Sequence, residues 1–232
     1  MTRFYTKGEE LLNFTEITLL TNKINEMKDF YKNILELQIL SHDSNTFTVQ
    51  LGSTAVTFQD LQSDSNPFYH FAINIPENKM EEAKSWIKSK VALNTEEDSA
   101  EVFFNSWNAH AIYFEDPSEN IIEFIARHNL KNGIEHNFSS DDLLNISEIG
   151  IVVDEVIPFV RNLNKIGIPN WRDDSEGLTP VGDENGLFIT VKNGRRWFFS
   201  NKDAMFYPFD VSIERLGKFS FYKKNGEVLI RK

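Results

Sequence analysis

Three stretches of this chain begin alike, and that internal repetition constrains the fold more than any other feature. Glu16-Ile17-Thr18-Leu19-Leu20 is followed by a helical pattern through Met27, Phe30, Tyr31 and Ile34. His70-Phe71-Ala72-Ile73-Asn74-Ile75 is followed by Met80, Ala83, Trp86 and Ile87 at helical spacing. Ile146-Ser147-Glu148-Ile149-Gly150-Ile151 leads into Val156, Ile157, Phe159, Val160 and Leu163, with Asp154 as helix cap and Gly167 and Pro169 as the stop. After the first two helices come short strand-like runs with turn residues between them: Ile39 to Ser41, Thr46 to Leu51 and Ala55 to Leu61, then Glu101 to Phe104 and Ile112 to Phe114. A strand, a helix and three strands, repeated, is the unit expected over residues 14–128.

The second unit ends on the most specific stretch in the chain, Tyr113-Phe114-Glu115-Asp116-Pro117-Ser118-Glu119-Asn120-Ile121-Ile122-Glu123-Phe124. Proline presets one dihedral and Asp, Ser and Asn bond their own backbone, so the chain reverses between two paired strands. Glu123 then lies inside an apolar strand. Period-2 alternation sets Ile121, Glu123 and Ile125 on one face, which either buries a charge or lines a cavity.

Residues 16–37 and 112–126 resemble the vicinal oxygen chelate superfamily, which includes glyoxalase I, extradiol dioxygenases, fosfomycin-resistance enzymes and bleomycin-binding proteins. The marks are Glu16-Ile-Thr-Leu with the Phe30-Tyr31 helix, and Tyr-Phe-x-Asp-Pro-x-x-Asn-x-x-Glu ending at Glu123. The resemblance implies an α+β fold of paired βαβββ modules, and the pattern of the last third adds a third βαβββ-like module at the C-terminal end. It implies a two-module domain at 1–128, with the third module and a closing hairpin at 129–232. A divalent metal ion (Mn, Fe, Ni or Zn) would then be held by Glu16, His70 and Glu123. Tyr113, ten residues before Glu123, resembles the second-layer tyrosine of ring-cleavage dioxygenases. His110 is a candidate general acid or base because its ordinary pKa lies near neutrality. Thr18, Asn74 and Trp107 are candidate cavity-lining residues.

Two departures qualify the ligand set. Glu16 stands where the family usually has His or Gln, so one His and two carboxylates replace two His and one carboxylate, and an oxygen-rich set suits harder ions better. Glu119 stands where the family has Gly in the turn, so a distorted turn is expected. Glu148 holds the same place as Glu16 and His70. Its module lacks an equivalent of the Asp-Pro turn and the Glu123 strand, which favours a structural or lid role for Glu148 over that of a second metal ligand.

In the last third, Asn185-Gly186, Asn193-Gly194 and Asn225-Gly226 each separate strand-like runs and signal hairpins. Arg195, Arg196 and Trp197 offer a planar cationic and aromatic edge suited to a carboxylate ligand.

Composition narrows the function classes. A net charge of −11 over 232 residues argues against nucleic acid and anionic membrane surfaces as partners. The absence of cysteine excludes disulfides, thiolate metal sites and Cys nucleophiles. No apolar run approaches the ~20 residues that span a bilayer, and a cytoplasmic setting is expected. Within what composition allows, the resemblance implies two function classes: a metal-dependent lyase, isomerase or dioxygenase acting on a small substrate with vicinal oxygens, or a metal-free protein of the bleomycin-resistance type that sequesters a small molecule. A homodimer is optional, since the modules for a cavity lie in one chain.

Overall fold

The computed structural model describes residues 11–232. The first module is β1 (Phe14–Thr21), α1 (Ile24–Asp29) continued by a π-turn over Phe30–Ile34, β2 (Ile39–His42), β3 (Thr46–Leu51) and β4 (Thr54–Asp60). The second is β5 (His70–Ile75), α2 (Met80–Lys88), β6 (Glu101–Phe104), β7 (Ala109–Glu115) and β8 (Ile121–Arg127). The third is β9 (Asn145–Val153), α3 (Val156–Lys165), β10 (Leu178–Asp183) and β11 (Gly186–Lys192). Strands β12 (Phe209–Ile213), β13 (Gly217–Lys224) and β14 (Glu227–Arg231) follow. The expected α+β class and βαβββ modules are present.

The partners differ from expectation. Modules two and three share one seven-stranded sheet, β10-β11-β9-β5-β8-β7-β6, with β5 antiparallel to β9 at its centre. Module one pairs instead with the C-terminal strands in a second sheet, β14-β13-β12-β1-β4-β3-β2, where β1 runs antiparallel to β12. Both sheets therefore cross the boundary placed at residue 128. Burial explains the choice: β5 and β8 are buried at every position, whereas β1 alternates between buried and exposed residues. A strand that is apolar on both faces belongs in the middle of a covered sheet, and an alternating one can leave a face to solvent.

The three helices lay Met27, Met80, Ala83, Ile87, Val156, Phe159, Val160 and Leu163 into one core shared by both sheets. A second core covers the other face of the module two and three sheet. There Ala72, Tyr113, Ile125 and Ile189 meet Trp197, Phe199 and Ala204 from the segment between β11 and β12. That segment corrects one hairpin expectation. Asn193-Gly194 does turn the chain, with Arg195 N–H donating to Lys192 O at 3.1 Å. Beyond it only an Arg196–Asp203 bridge forms, not a strand. Asn225-Gly226 behaves as expected, both residues taking positive φ (53° and 87°) in the two-residue β13–β14 loop. The second strand of module three is reduced to a single Asn170–Val181 bridge. Among the described residues, no helix is long and apolar enough to cross a membrane.

Candidate metal centre

Register builds the site. Ala72 on β5 lies beside Glu123 of parallel β8 and beside Glu148 of antiparallel β9. Two residues earlier on the same face of β5 is His70. Its Nδ1 lies 3.1 Å from Ile121 O, and because a carbonyl can only accept, Nδ1 carries the proton. Burial pushes the imidazole pKa down to about 4, so the ring is neutral and Nε2 offers a lone pair. That Nε2 faces Glu123 Oε2 at 3.6 Å and Glu148 Oε2 at 3.9 Å. One ligand atom from each of the three residues falls within 4.8 Å of the other two, and all three side chains are buried.

A second layer holds these groups in place. Arg127, with no solvent exposure, donates to Glu148 Oε1 and, at 3.1 Å, to Asn74 Oδ1. Its guanidinium lies 5.4 Å from the Trp107 ring and 5.9 Å from that of Trp171. Tyr113 is in register with Glu123 on the neighbouring strand and lines the same cavity. Two carboxylates against one guanidinium leave an excess negative charge in a buried place. Burial, then repulsion from Glu148, holds the Glu123 pKa well above the usual carboxylate range, and burial raises that of Glu148. One imidazole nitrogen and two carboxylate oxygens, converging in a buried place, could hold a divalent cation.

A cavity of about 280 Å³ opens beside the cluster. Phe104, Trp107, Trp197 and Phe198 supply flat aromatic walls, and Leu178, Ile189 and Arg195 complete them. Trp197 packs on His70 with ring centroids 4.9 Å apart, and Phe199 stacks on Tyr113 at 4.7 Å with an interplanar angle of 13°. The segment carrying these rings is pinned to module two by an Arg196–Glu96 ion pair and by Lys202 Nζ to Glu115 at 2.8 Å.

The structure brings His70, Glu123 and Tyr113 together and leaves Glu16 out. Glu16 is exposed on β1 in the other sheet, where its carboxylate accepts from Ser212 Oγ at 3.0 Å. The place expected for it in the ligand set is taken by Glu148, because β5 pairs with β9 rather than with β1. His110 lies on the opposite face of β7 from Tyr113, bonded to His128 at 2.8 Å and packed on Phe103, away from the cavity. Trp107 lines the cavity, whereas Asn74 acts one layer out by holding Arg127. Thr18 lies on β1, away from the cavity. The turn before β8 is not distorted: Glu119 takes φ 64° and its N–H reaches Asp116 O at 2.8 Å. Arg127 is the functional residue that sequence reasoning missed. Its one signal was a cation closing a strand that is apolar except for Glu123.

The family model described as toxoflavin-degrading enzyme matches residues 146–196, roughly a fifth of the chain. The match runs from β9, which carries Glu148, through β11 and the turn that carries Arg195. No curated protein sequence matches the chain significantly. Among solved structures, a Bacillus subtilis protein assigned as a dioxygenase is similar over 79% of this chain and 64% of that longer one, at 15% identity and a TM-score of 0.58. A single-substitution variant of glyoxalase I from Zea mays is similar over 83% of this chain and 70% of that one, at 13% identity and a TM-score of 0.53. At such identities the likeness is one of architecture. The chain therefore shares the fold of these glyoxalase and dioxygenase structures.

Proposed function

We propose that this protein is a divalent-metal-dependent enzyme that acts on a small ring compound through two adjacent donor atoms, with His70, Glu123 and Glu148 as the ligands. One observation carries the reading: the lone pair of His70 Nε2, fixed by the Nδ1 hydrogen bond, looks between two buried carboxylates. Without a cation the cluster holds protons on its raised carboxylates, and an ion that displaces them meets three ligand atoms already converged. When bound, the ion supplies Lewis-acid stabilisation of negative charge on the substrate's donor atoms.

The chain's own residues do the rest. Phe104, Trp107, Trp197 and Phe198 receive a planar ring and exclude water. Burial and the nearby carboxylates keep the Tyr113 hydroxyl protonated, so it is a hydrogen-bond donor. Glu123, on the cavity wall beside the ligand atoms, can take and return a proton at its free oxygen, as a general base requires. The match to the toxoflavin-degrading enzyme model over β9 to β11 supports a ring-bearing substrate.

Elemental analysis of purified protein tests the reading, with His70→Ala, Glu123→Ala, Glu148→Ala and Glu16→Ala alongside. The expected result is near-stoichiometric metal in the wild type and in Glu16→Ala, and its loss from the other three. Metal that never binds, or that is lost in Glu16→Ala and kept in Glu148→Ala, overturns it.

A further inference from the structure

The cations around the cavity are almost all committed. Arg127 serves Glu148 and Asn74, Arg196 pairs with Glu96, Lys202 pairs with Glu115, and Arg172 donates to Ser106 O. Arg195 is different. It lines the cavity, yet among the described residues its guanidinium has no hydrogen-bond or ion-pair partner, and its one contact of charge is the Phe198 ring at 5.4 Å. In a protein with 35 acidic and 24 basic residues, an arginine that meets no carboxylate is conspicuous.

Its backbone is not loose. Arg195 N–H donates to Lys192 O at 3.1 Å, its carbonyl accepts from Ala204 N–H at 2.7 Å, and Gly194 N–H donates to Ala204 O at 2.8 Å. The guanidinium is thus presented from a fixed turn, half-buried, beside apolar walls that weaken competing hydration. A planar fork of donors in such a setting matches a planar oxyanion with two acceptors, and preorganisation lowers the cost of binding it.

We propose that Arg195 is the specificity-determining anchor for a carboxylate on the substrate, at a position other than the atoms that meet the His70–Glu123–Glu148 cluster. The substrate class is then a one- or two-ring carboxylate. This rests on the proposed metal-dependent function for where the ring sits, though not for the charge preference itself.

The test uses 2,3- and 3,4-dihydroxybenzoate, each beside its uncharged amide. Binding is followed by quenching of tryptophan fluorescence in Mn(II)-loaded wild type, Arg195→Lys and Arg195→Gln. For at least one isomer, the wild type should prefer acid over amide by about tenfold or more, Arg195→Gln should bind both alike at the amide's affinity, and Arg195→Lys should fall between. Equal binding of acid and amide by the wild type, a preference that survives in Arg195→Gln, equal weakening of both compounds, or no binding by metal-loaded protein would each overturn the proposal. If the protein takes up no metal, the metal reading fails, and the same pairs are run on metal-free protein. There a preference abolished in Arg195→Gln still supports Arg195, and its absence does not.

Discussion

Trp197 rests against Gly150: a Cβ at residue 150 would lie 2.8 Å from Trp197 Cη2 and 3.1 Å from its Cζ2. Gly150 is two residues beyond Glu148 on the same face of β9, so the aromatic wall beside His70 exists because one side chain is missing. Gly150→Ala should push the indole off its seat. Because Trp197 is 5% exposed and packed on His70, the cost should be about 1–3 kcal/mol of stability, as for other overpacked cores. Tryptophan emission should shift to the red. Unchanged emission and melting temperature would show that the wall does not depend on that contact.

Arg127 and Glu148 form a buried pair whose value lies in its completeness. Arg127→Met leaves a carboxylate in a dry place without its partner, which should destabilise the metal-free protein by about 3–5 kcal/mol. Adding Glu148→Leu removes the orphaned charge and should restore much of the loss. Urea unfolding of the single and double variants checks this, and a double variant no better than Arg127→Met would sink the explanation.

Metal affinity should rise with pH. The pKa of Glu123 is held well above its ordinary value by burial and by Glu148, and that of Glu148 is raised by burial, so the metal-free site keeps protons that an ion must displace. Apparent Mn(II) affinity should therefore climb by up to about tenfold per pH unit for each displaced proton. His70 adds a dependence of the same direction, in folding rather than in metal binding. Its pKa falls from 6.5 to about 4, so the folded state binds fewer protons than the unfolded one across that window. Its share of stability is complete above pH 6.5 and is lost as pH falls towards 4. Calorimetric titration in buffers of different ionisation enthalpy measures the proton release, and affinity flat between pH 5 and 7 would contradict the raised carboxylates.

The modules, their order and the Asp-Pro turn were legible because each is written locally, in turn residues and in hydrophobic period. The choice of ligand was not local. Glu16, His70 and Glu148 occupy equivalent strand positions, and which of them meet depends on which first strands pair. A clue was present in the flanking residues. Thr15 and Thr18 flank Glu16 in a strand that alternates with solvent, whereas His70 and Glu148 interrupt strands that are apolar on both faces. A charge inside a doubly apolar strand needs a partner, and that reasoning would have favoured Glu148. Arg195 is harder to read from sequence, because what marks it is the absence of a partner in three dimensions.

The turn that gave the strongest sequence signal supplies the last prediction. The Asp116 carboxylate accepts from Ser118 N and Asn120 N at 3.0 Å each, from Asn120 Nδ2 at 2.7 Å and from Tyr31 Oη at 2.9 Å. It therefore ties the α1 region of module one to the β7–β8 turn of module two. Asp116→Ala strands a buried tyrosine hydroxyl and an amide, and should cost about 3 kcal/mol or more. Three residues along, Glu119 holds φ 64° with a side chain about half exposed. The Lys202 Nζ contact to the Glu119 carbonyl, at 2.8 Å, is to backbone and survives substitution. Glu119→Gly removes the left-handed strain and should stabilise by about 0.5–1 kcal/mol, after the entropy that glycine adds to the unfolded chain. Thermal melting of the two variants should move in opposite directions. A lower melting temperature for Glu119→Gly would mean that the carboxylate near Lys202 contributes more than the backbone strain costs.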